Sequence, residues 1–317
     1  MQKVLVAGGA GFIGSHLCES LLQKGHTVYC LDNICTGNPK NLEELQKNPS
    51  FHFIEGDVTQ PVKLPQSLHI DAIFHLASPA SPNKNSSRSY MNLPLETMLA
   101  NSEGTYRLLE LTKAHSARML YASSSEVYGD PLLSPQKETY WGNVNPNGPR
   151  SVYDEAKRFG EAISMLYVRK FSVDVRVARI FNTYGPRMHP DDGRVVSNFI
   201  NQALRNEKIT IYGDGNQTRS FCFVTDMVNA LESLLFLDNL SGKVVNLGNP
   251  DERKISELAT MIKEMTGSSS EITYSELPQD DPKNRKPDIS LAKELLSWEP
   301  TVDLEHGLKQ TIEFFKN

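Results

Sequence analysis

The residues Val4-Leu5-Val6-Ala7-Gly8-Gly9-Ala10-Gly11-Phe12-Ile13-Gly14 decide the reading of the fold. Four apolar residues read as a short buried strand, and the glycines that follow satisfy both G-x-x-G-x-x-G (Gly8, Gly11, Gly14) and G-x-G-x-x-G (Gly9, Gly11, Gly14). The amphipathic run Phe12–Lys24 then reads as a helix. Asp32, 18 residues after Gly14, ends the next apolar run, Thr27–Asp32. A glycine run alone says little. A strand before it, a helix after it and an acid at the end of the next strand make it a dinucleotide site. The glycines let the backbone approach a pyrophosphate, and the helix start offers free N–H groups and a positive dipole end. Asp32 suits the ribose hydroxyls and repels a 2'-phosphate, which predicts NAD rather than NADP.

Working outward, apolar β-branched runs alternate with helical patterns: Phe51–Asp57, Asp71–Ala77, Arg118–Ser124 and Val173–Ile180 read as strands, Asn101–Ala114 and Tyr153–Lys170 as helices. That alternation predicts α/β architecture, a doubly wound parallel sheet of the Rossmann kind over residues 1–183. After Tyr184 the loops lengthen and fill with Pro, Gly and Asp, and shorter helices follow at Ser197–Leu204, Lys254–Thr266 and Leu304–Phe315. We read residues 184–317 as a smaller substrate lobe, with the apolar run near 243–248 returning to the main sheet.

The 317 residues, 39% hydrophobic and 22% charged, are enough to build a sizeable core. The net charge of -5 argues against a nucleic-acid partner. No apolar run approaches the roughly 18–20 residues that span a bilayer, and no secretory signal is read at the N-terminus. Cys18, Cys30, Cys35 and Cys222 show neither C-x-x-C nor zinc-ligand spacing, so no metal is expected and a reducing, cytoplasmic setting is.

Two further constellations carry chemistry. Tyr153 and Lys157 stand at i and i+4 on one helix face, where an ammonium lowers a phenol's pKa and readies it as a base toward an alcohol. Lys157 can also reach the nicotinamide ribose. The strand-end run Ser123-Ser124-Ser125-Glu126, with Ser124 29 residues before Tyr153, offers a hydroxyl to share the substrate proton. At other strand ends, Asp57 suits the adenine amino group, although a helix cap would explain it as well, and Leu76, Ala77 and Ser78 face the ligand crevice.

With these segments the chain resembles the extended short-chain dehydrogenase/reductase family of NAD-dependent sugar-nucleotide epimerases, dehydratases and decarboxylases, and within it the branch that decarboxylates UDP-glucuronate to UDP-xylose. The likeness is carried by HLASPASP (75–82), ASSSEVYGDP (122–131), YWGNVNPNGPRSVYDEAKRFGE (140–161), RVARIFNTYGPRMHPDDGRVVSNFI (176–200), GDGNQTRSF (213–221) and DDPKNRKPDI (280–289), and it covers nearly the whole chain. It implies C4 oxidation by NAD with Tyr153 as base, loss of CO2 from the 4-keto sugar, then re-reduction. It implies roles for Ser124, Ser125, Glu126 and Arg285 in catalysis, Glu126 destabilising a substrate carboxylate by like charge. Gly8, Gly11, Phe12, Ile13, Gly14, Asp32, Asn33, Gly37, Asp57, Val58, Leu76, Ala77 and Ser78, with Tyr153 and Lys157, would hold the cofactor. Asn182, Arg187, Asn198, Tyr212, Gln217, Arg219 and Arg285 would hold the nucleotide sugar. A homodimer through Asn101–Ala114 and Tyr153–Lys170 is implied too, with Leu108, Leu109, Leu111, Ile163, Leu166 and Tyr167 as apolar contacts, although core packing explains these residues as well.

Three positions depart from the branch. Ser124 replaces its usual Thr. Asn83–Ser89 lengthens a link that is normally shorter. Glu96 stands where a Lys near the substrate is usual, so either Lys84 or Arg88 substitutes or the substrate differs. Alternatives are a 4-epimerase, a 4,6-dehydratase (disfavoured by Ser125 in place of an Asp) and a non-catalytic NAD sensor (disfavoured by the retained Tyr153 and Lys157).

Overall fold

The computed structural model describes residues 1–62, 64–65, 67–276 and 284–316. Asp280–Lys283 of the DDPKNRKPDI stretch therefore lie outside the described residues. Strands β1 (Lys3–Ala7), β2 (Thr27–Asp32), β3 (Phe51–Glu55), β4 (Ala72–His75), β5 (Arg118–Ser124) and β6 (Asp174–Ile180) form a parallel sheet in the order β3-β2-β1-β4-β5-β6. The strand Val244–Leu247 pairs in parallel with β6 and makes the seventh. The order reverses between β1 and β4, and a crevice opens there at the strands' C-terminal ends.

The central strands β1, β4, β5 and β6 are buried on both faces over most of their length, which is why they read as apolar runs, whereas the edge strand β3 keeps His52 and Glu55 exposed. In β1, Val4 and Val6 join the cluster on one side of the sheet and Leu5 and Ala7 the cluster on the other. Helix α1 (Phe12–Gln23) and the helix Val224–Phe236 cover the first face. Helices α3 (Thr105–His115) and α4 (Ser151–Phe171) cover the second. Leu108, Leu109 and Tyr167, expected at a subunit interface, are buried against this sheet instead, and Leu111 and Ile163 pack at its edge. Exposed apolar side chains on this side include Leu95, Met98 and Leu99 on α2 (Pro94–Leu99), Tyr106 on α3, and Phe159, Leu166 and Phe171 on α4.

The expected helix from Asn101 starts late. Ala100–Gly104 is a π-type turn joining α2 to α3. Asn101 uses it to reach inward, donating to Ser78 Oγ (2.8 Å) and accepting from Tyr121 Oη (3.0 Å). Such turns recur near functional sites because they re-aim a side chain. Gly160 lets α4 lie against β5, since a Cβ there would fall 2.1 Å from Tyr121 Oη.

Beyond β6, a three-stranded sheet places Thr218–Ser220 between Glu252–Lys254 and Asn284–Arg285, with Arg219 and Arg285 in register. This pairing turns two guanidinium groups from distant sequence toward the crevice.

Because Tyr121 is fully buried and hydrogen-bonded, Gly160→Ala should push α4 off the sheet and cost on the order of 1–3 kcal/mol. Denaturant titration measures it, and wild-type stability would mean that α4 can slide without loss.

Candidate active site

A cavity of about 850 Å3 occupies the crevice, running from the glycine-rich turn past Ser124 and Tyr153 to Arg219 and Tyr212. At one end the backbone is packed so closely that side chains cannot enter. Gly8 has φ +85°, and a Cβ there would lie 2.6 Å from Ala77 N; one on Gly14 would lie 2.1 Å from Gly8 O. No side chain caps the start of α1, so its first N–H groups face the cavity beside Gly11, Phe12 and Ile13. A dinucleotide pyrophosphate fits this cradle.

Asp32 is buried behind the turn, accepting from Ala10 N (2.9 Å) and Ile34 N (2.8 Å). It fastens the turn to the loop that follows β2, and burial raises its pKa against those two hydrogen bonds. Gly37 gives it room, since a Cβ there would lie 3.0 Å from Asp32 Oδ1. Asp57 is already engaged by Thr59 N and Oγ1 and by Asn33 Nδ2, so both it and Asn33 brace the loop. Val58 packs beneath Gly104. Of the proposed cofactor contacts, Gly8, Gly11, Phe12, Ile13, Gly14, Leu76, Ser78, Tyr153 and Lys157 line the cavity. Asp32, Asn33, Gly37, Asp57, Val58 and Ala77 stand behind that lining as its support.

Tyr153 and Lys157 both face the crevice from α4, but not as the expected charge pair. Lys157 Nζ donates to Ala122 O (2.8 Å) and lies 5.6 Å from the centroid of the Tyr153 ring. Burial pulls the Lys157 pKa down to about 7, with Glu161 opposing. Burial pushes Tyr153 up to about 12; the hydrogen bond from Ser124 and the charge of Arg194 pull it back. Arg194, in the G-R-V-V-S-N-F stretch, is thus the cation that acts on the phenol.

Ser124 ends β5, and the turn Ser125–Tyr128 follows it, its start capped by Ser124 Oγ accepting from Glu126 N. The turn holds Glu126 between two arginines. Arg150 Nη2 donates to Glu126 Oε2 (2.5 Å), and Arg285 Nη2 lies 3.2 Å from Oε1. Arg285 Nη1 donates to Ser125 O (2.7 Å), while its buried Nη2 has no aligned hydrogen-bond acceptor among the described residues. Burial would raise the Glu126 pKa, yet Arg285 and Arg150 hold it at about 2. Glu126 is therefore no isolated negative charge. Arg150 and Arg285 thus set two guanidinium groups at this part of the cavity, groups whose donors suit a carboxylate. Arg150 was not singled out individually, although it closes the G-P-R triplet quoted above.

The other wall carries Asn182, Arg187, Asn198, Tyr212, Gln217 and Arg219, all lining the cavity. Gln217 Nε2 donates to Tyr212 O, and Arg219 Nη1 to Thr218 O (2.9 Å). Arg187 sits at φ +67° and donates from Nη2 to Glu19 on α1 (2.6 Å), which draws it toward the cofactor side. Glu96 is exposed on α2 and does not line the cavity, so an acid at that position does not meet a ligand there. Arg88 turns instead to the loop after β2, donating from Nη1 to Thr36 O (2.6 Å) and Gly37 O (3.1 Å), and Lys84 lies at the rim.

Asp154, next to Tyr153, is buried, and its Oδ1 has no hydrogen bond among the described residues. Burial, then the Glu126 charge, raises its pKa to about 8, so the folded protein keeps a proton there that the unfolded chain releases near 3.8. Stability from this group is full below about 3.8 and falls as pH rises toward 8. Asp154→Asn should therefore gain in melting temperature over the wild type as pH is raised from 5 to 9. A constant difference across that range would show that Asp154 is ionised throughout.

Residues 4–248 match the model of the NAD dependent epimerase/dehydratase family. UDP-glucuronic acid decarboxylase 1 of Xenopus tropicalis is 50% identical over 315 residues, covering 99% of this chain and 72% of its own. UDP-glucuronic acid decarboxylase 1 of Arabidopsis thaliana is likewise 50% identical, over 99% of this chain and 70% of its own. Among solved structures, UDP-glucose 4-epimerase of Thermotoga maritima superposes with a TM-score of 0.87 at 30% identity, covering 99% of this chain and 98% of its own. UDP-glucuronic acid 4-epimerase of Bacillus cereus, solved with UDP-glucuronic acid and NAD, gives 0.85 at 29%, covering 99% of both chains. A sheet order that opens a dinucleotide crevice, a Tyr/Lys helix facing it and matches of this extent place the chain in the NAD dependent epimerase/dehydratase family.

Proposed function

We propose that the chain is an NAD-dependent decarboxylase that converts UDP-glucuronate to UDP-xylose and CO2. The observation that carries this reading is the Glu126 carboxylate held by Arg150 and Arg285 beside the Ser124 and Tyr153 hydroxyls. It sets two guanidinium groups next to the base, where a C6 carboxylate needs charged donors. The 50% identity to UDP-glucuronic acid decarboxylases supports the same substrate.

NAD, when bound, supplies reversible hydride acceptance at the sugar's C4. Tyr153 takes the O4 proton as that hydride leaves, with Ser124 and Arg194 stabilising the phenolate. Lys157, anchored on Ala122 O, orients the phenol's surroundings and the ribose. The ketone at C4 makes the C6 carboxylate a β-keto acid. Cleavage of C5–C6 releases CO2 and leaves the electron pair in an enolate. In this reading Glu126 and Arg285 would hold the water that returns a proton to C5, and Tyr153 returns its proton to O4 as the C4 hydride is restored. Arg219, Gln217 and Tyr212 form the end suited to the UDP moiety.

The exposed side chains Leu95, Met98, Leu99, Tyr106, Phe159 and Leu166 lie on α2, α3 and α4. An apolar surface of this kind supports a homodimer across these helices. Four free cysteines and no membrane-crossing helix among the described residues fit a cytoplasmic enzyme.

Mass spectrometry of products from a panel of UDP-sugars tests the assignment. UDP-glucuronate should lose the mass of one CO2, whereas an unchanged mass with inverted C4 would make the protein an epimerase. Tyr153→Phe should lower turnover by about 10²–10⁴-fold, the range of a lost general base; turnover within tenfold of wild type would move the base elsewhere. Glu126→Gln given UDP-glucuronate should accumulate reduced-nicotinamide absorbance and release little CO2, and normal turnover would reduce Glu126 to a structural acid. Light scattering should return twice the chain mass, and a monomer at micromolar concentration would refute the pairing.

A further inference from the structure

The segment Ser81–Tyr90, which holds the unusually long link, crosses the crevice and is fastened on both sides. It is closed on itself by Ser89 Oγ donating to Ser81 O (3.0 Å) and Tyr90 N donating to the same oxygen (3.1 Å). Its base is tied to the substrate lobe: Ser81 Oγ donates to Asp192 O, Arg194 Nη2 donates to Ala80 O (2.9 Å), and Asn83 Nδ2 donates to Asp191 O (3.4 Å). Gly193, at φ +83°, leaves no room for a side chain, since a Cβ there would fall 2.1 Å from Asn83 Cβ. The far end is tied to the cofactor lobe, where Arg88 Nη1 bridges the carbonyls of Thr36 and Gly37. Between the two anchors, the Tyr90 ring stacks on Tyr153 (5.0 Å, 17°).

We infer that Ser81–Tyr90 is a strap closed over the bound dinucleotide and that Arg88 is its latch, a positioning residue that keeps the cofactor from exchanging between turnovers. This rests on the NAD reading above. Residues of the glycine-rich turn, of the strap and Tyr153 itself line one cavity, so a dinucleotide reaching from the turn to Tyr153 would run alongside the strap. Thr36 and Gly37 belong to the loop that Asp32 fastens to the turn, so Arg88 holds that loop in the place a ribose and pyrophosphate require. Arg88 has no carboxylate partner among the described residues, and its positive charge lies on the cavity wall near the pyrophosphate cradle. A reaction that returns its hydride to the same sugar gains from holding one cofactor molecule through many cycles, and a strap tied to both lobes does this without touching the reacting atoms.

The test follows release of carbon-labelled NAD from the full-length protein after addition of excess unlabelled NAD, with no sugar nucleotide present. Arg88→Met should release label at least about tenfold faster, the scale of one lost charge-assisted hydrogen-bonded contact. Ser81→Ala, which cuts the opposite anchor, should also speed release. If the strap is one unit, the double variant should be no faster than the faster single variant. Release by Arg88→Met within twofold of wild type overturns the latch, and effects that multiply in the double variant overturn the single strap. Should Arg88→Met fail to give a native circular dichroism spectrum, Arg88→Lys is read in its place, with intermediate acceleration expected and a wild-type rate contradicting the role. Because no substrate is present, these outcomes are separate from decarboxylation. A wild-type protein that takes up no label overturns the strap along with the cofactor reading.

Discussion

Glu126 is the constraint on which the chemical site depends. Its carboxylate is mostly removed from water and held between Arg150, at the start of α4, and Arg285, on a strand of the substrate lobe. Taking charges out of water is costly, and it is tolerated here because the two guanidinium groups satisfy both carboxylate oxygens. The arrangement ties three elements together: the turn after β5, the helix that carries Tyr153 and Lys157, and the lobe that carries Arg219. Removing either arginine would leave one carboxylate oxygen without its charged donor, a loss of about 1–3 kcal/mol. Position and charge are set by the same contacts, so the place proposed to receive a substrate carboxylate is also where the turn after β5 and α4 meet the strand Asn284–Arg285.

The same economy holds at the cofactor end. Asp32 is bonded to the backbone on either side of the crevice floor, and glycines at Gly8 and Gly14 remove the Cβ atoms that would block it. Arg179 reinforces the middle by pairing with Glu161 through Nε (2.9 Å) and Nη2 (2.7 Å), and Glu161 in turn accepts from Ser123 Oγ (2.6 Å). The strand end from which Ser124 and Glu126 project is thereby braced from below.

Much of this was legible in the residues. The strand runs were readable because parallel strands covered on both faces must be continuously apolar, and the glycine spacing was readable because only glycine allows those close approaches. The sequence placed Tyr153 and Lys157 on one helix face correctly, but spacing does not reveal where an ammonium points, and Lys157 is turned to Ala122 O. Likewise Glu126 read as a lone acid, because its partners stand 24 and 159 residues away and meet it only through folding. Arg194 and Tyr90 were beyond reach for the same reason: loop residues carry no periodicity, and their contacts are set by the tertiary path. Leu108 and Leu109 fitted a subunit interface and a sheet core equally well, because a helix packed on a sheet and one packed on a partner show the same apolar spacing, and the fold buries them against the sheet.

The central claim is that a hydride leaves C4 and returns to it within one closed site, with CO2 lost in between. It is tested most directly with UDP-glucuronate deuterated at C4. UDP-xylose should keep the deuterium at C4 while C5 takes up solvent hydrogen. Loss of the label from C4 to solvent, or its appearance in free reduced cofactor, would contradict it.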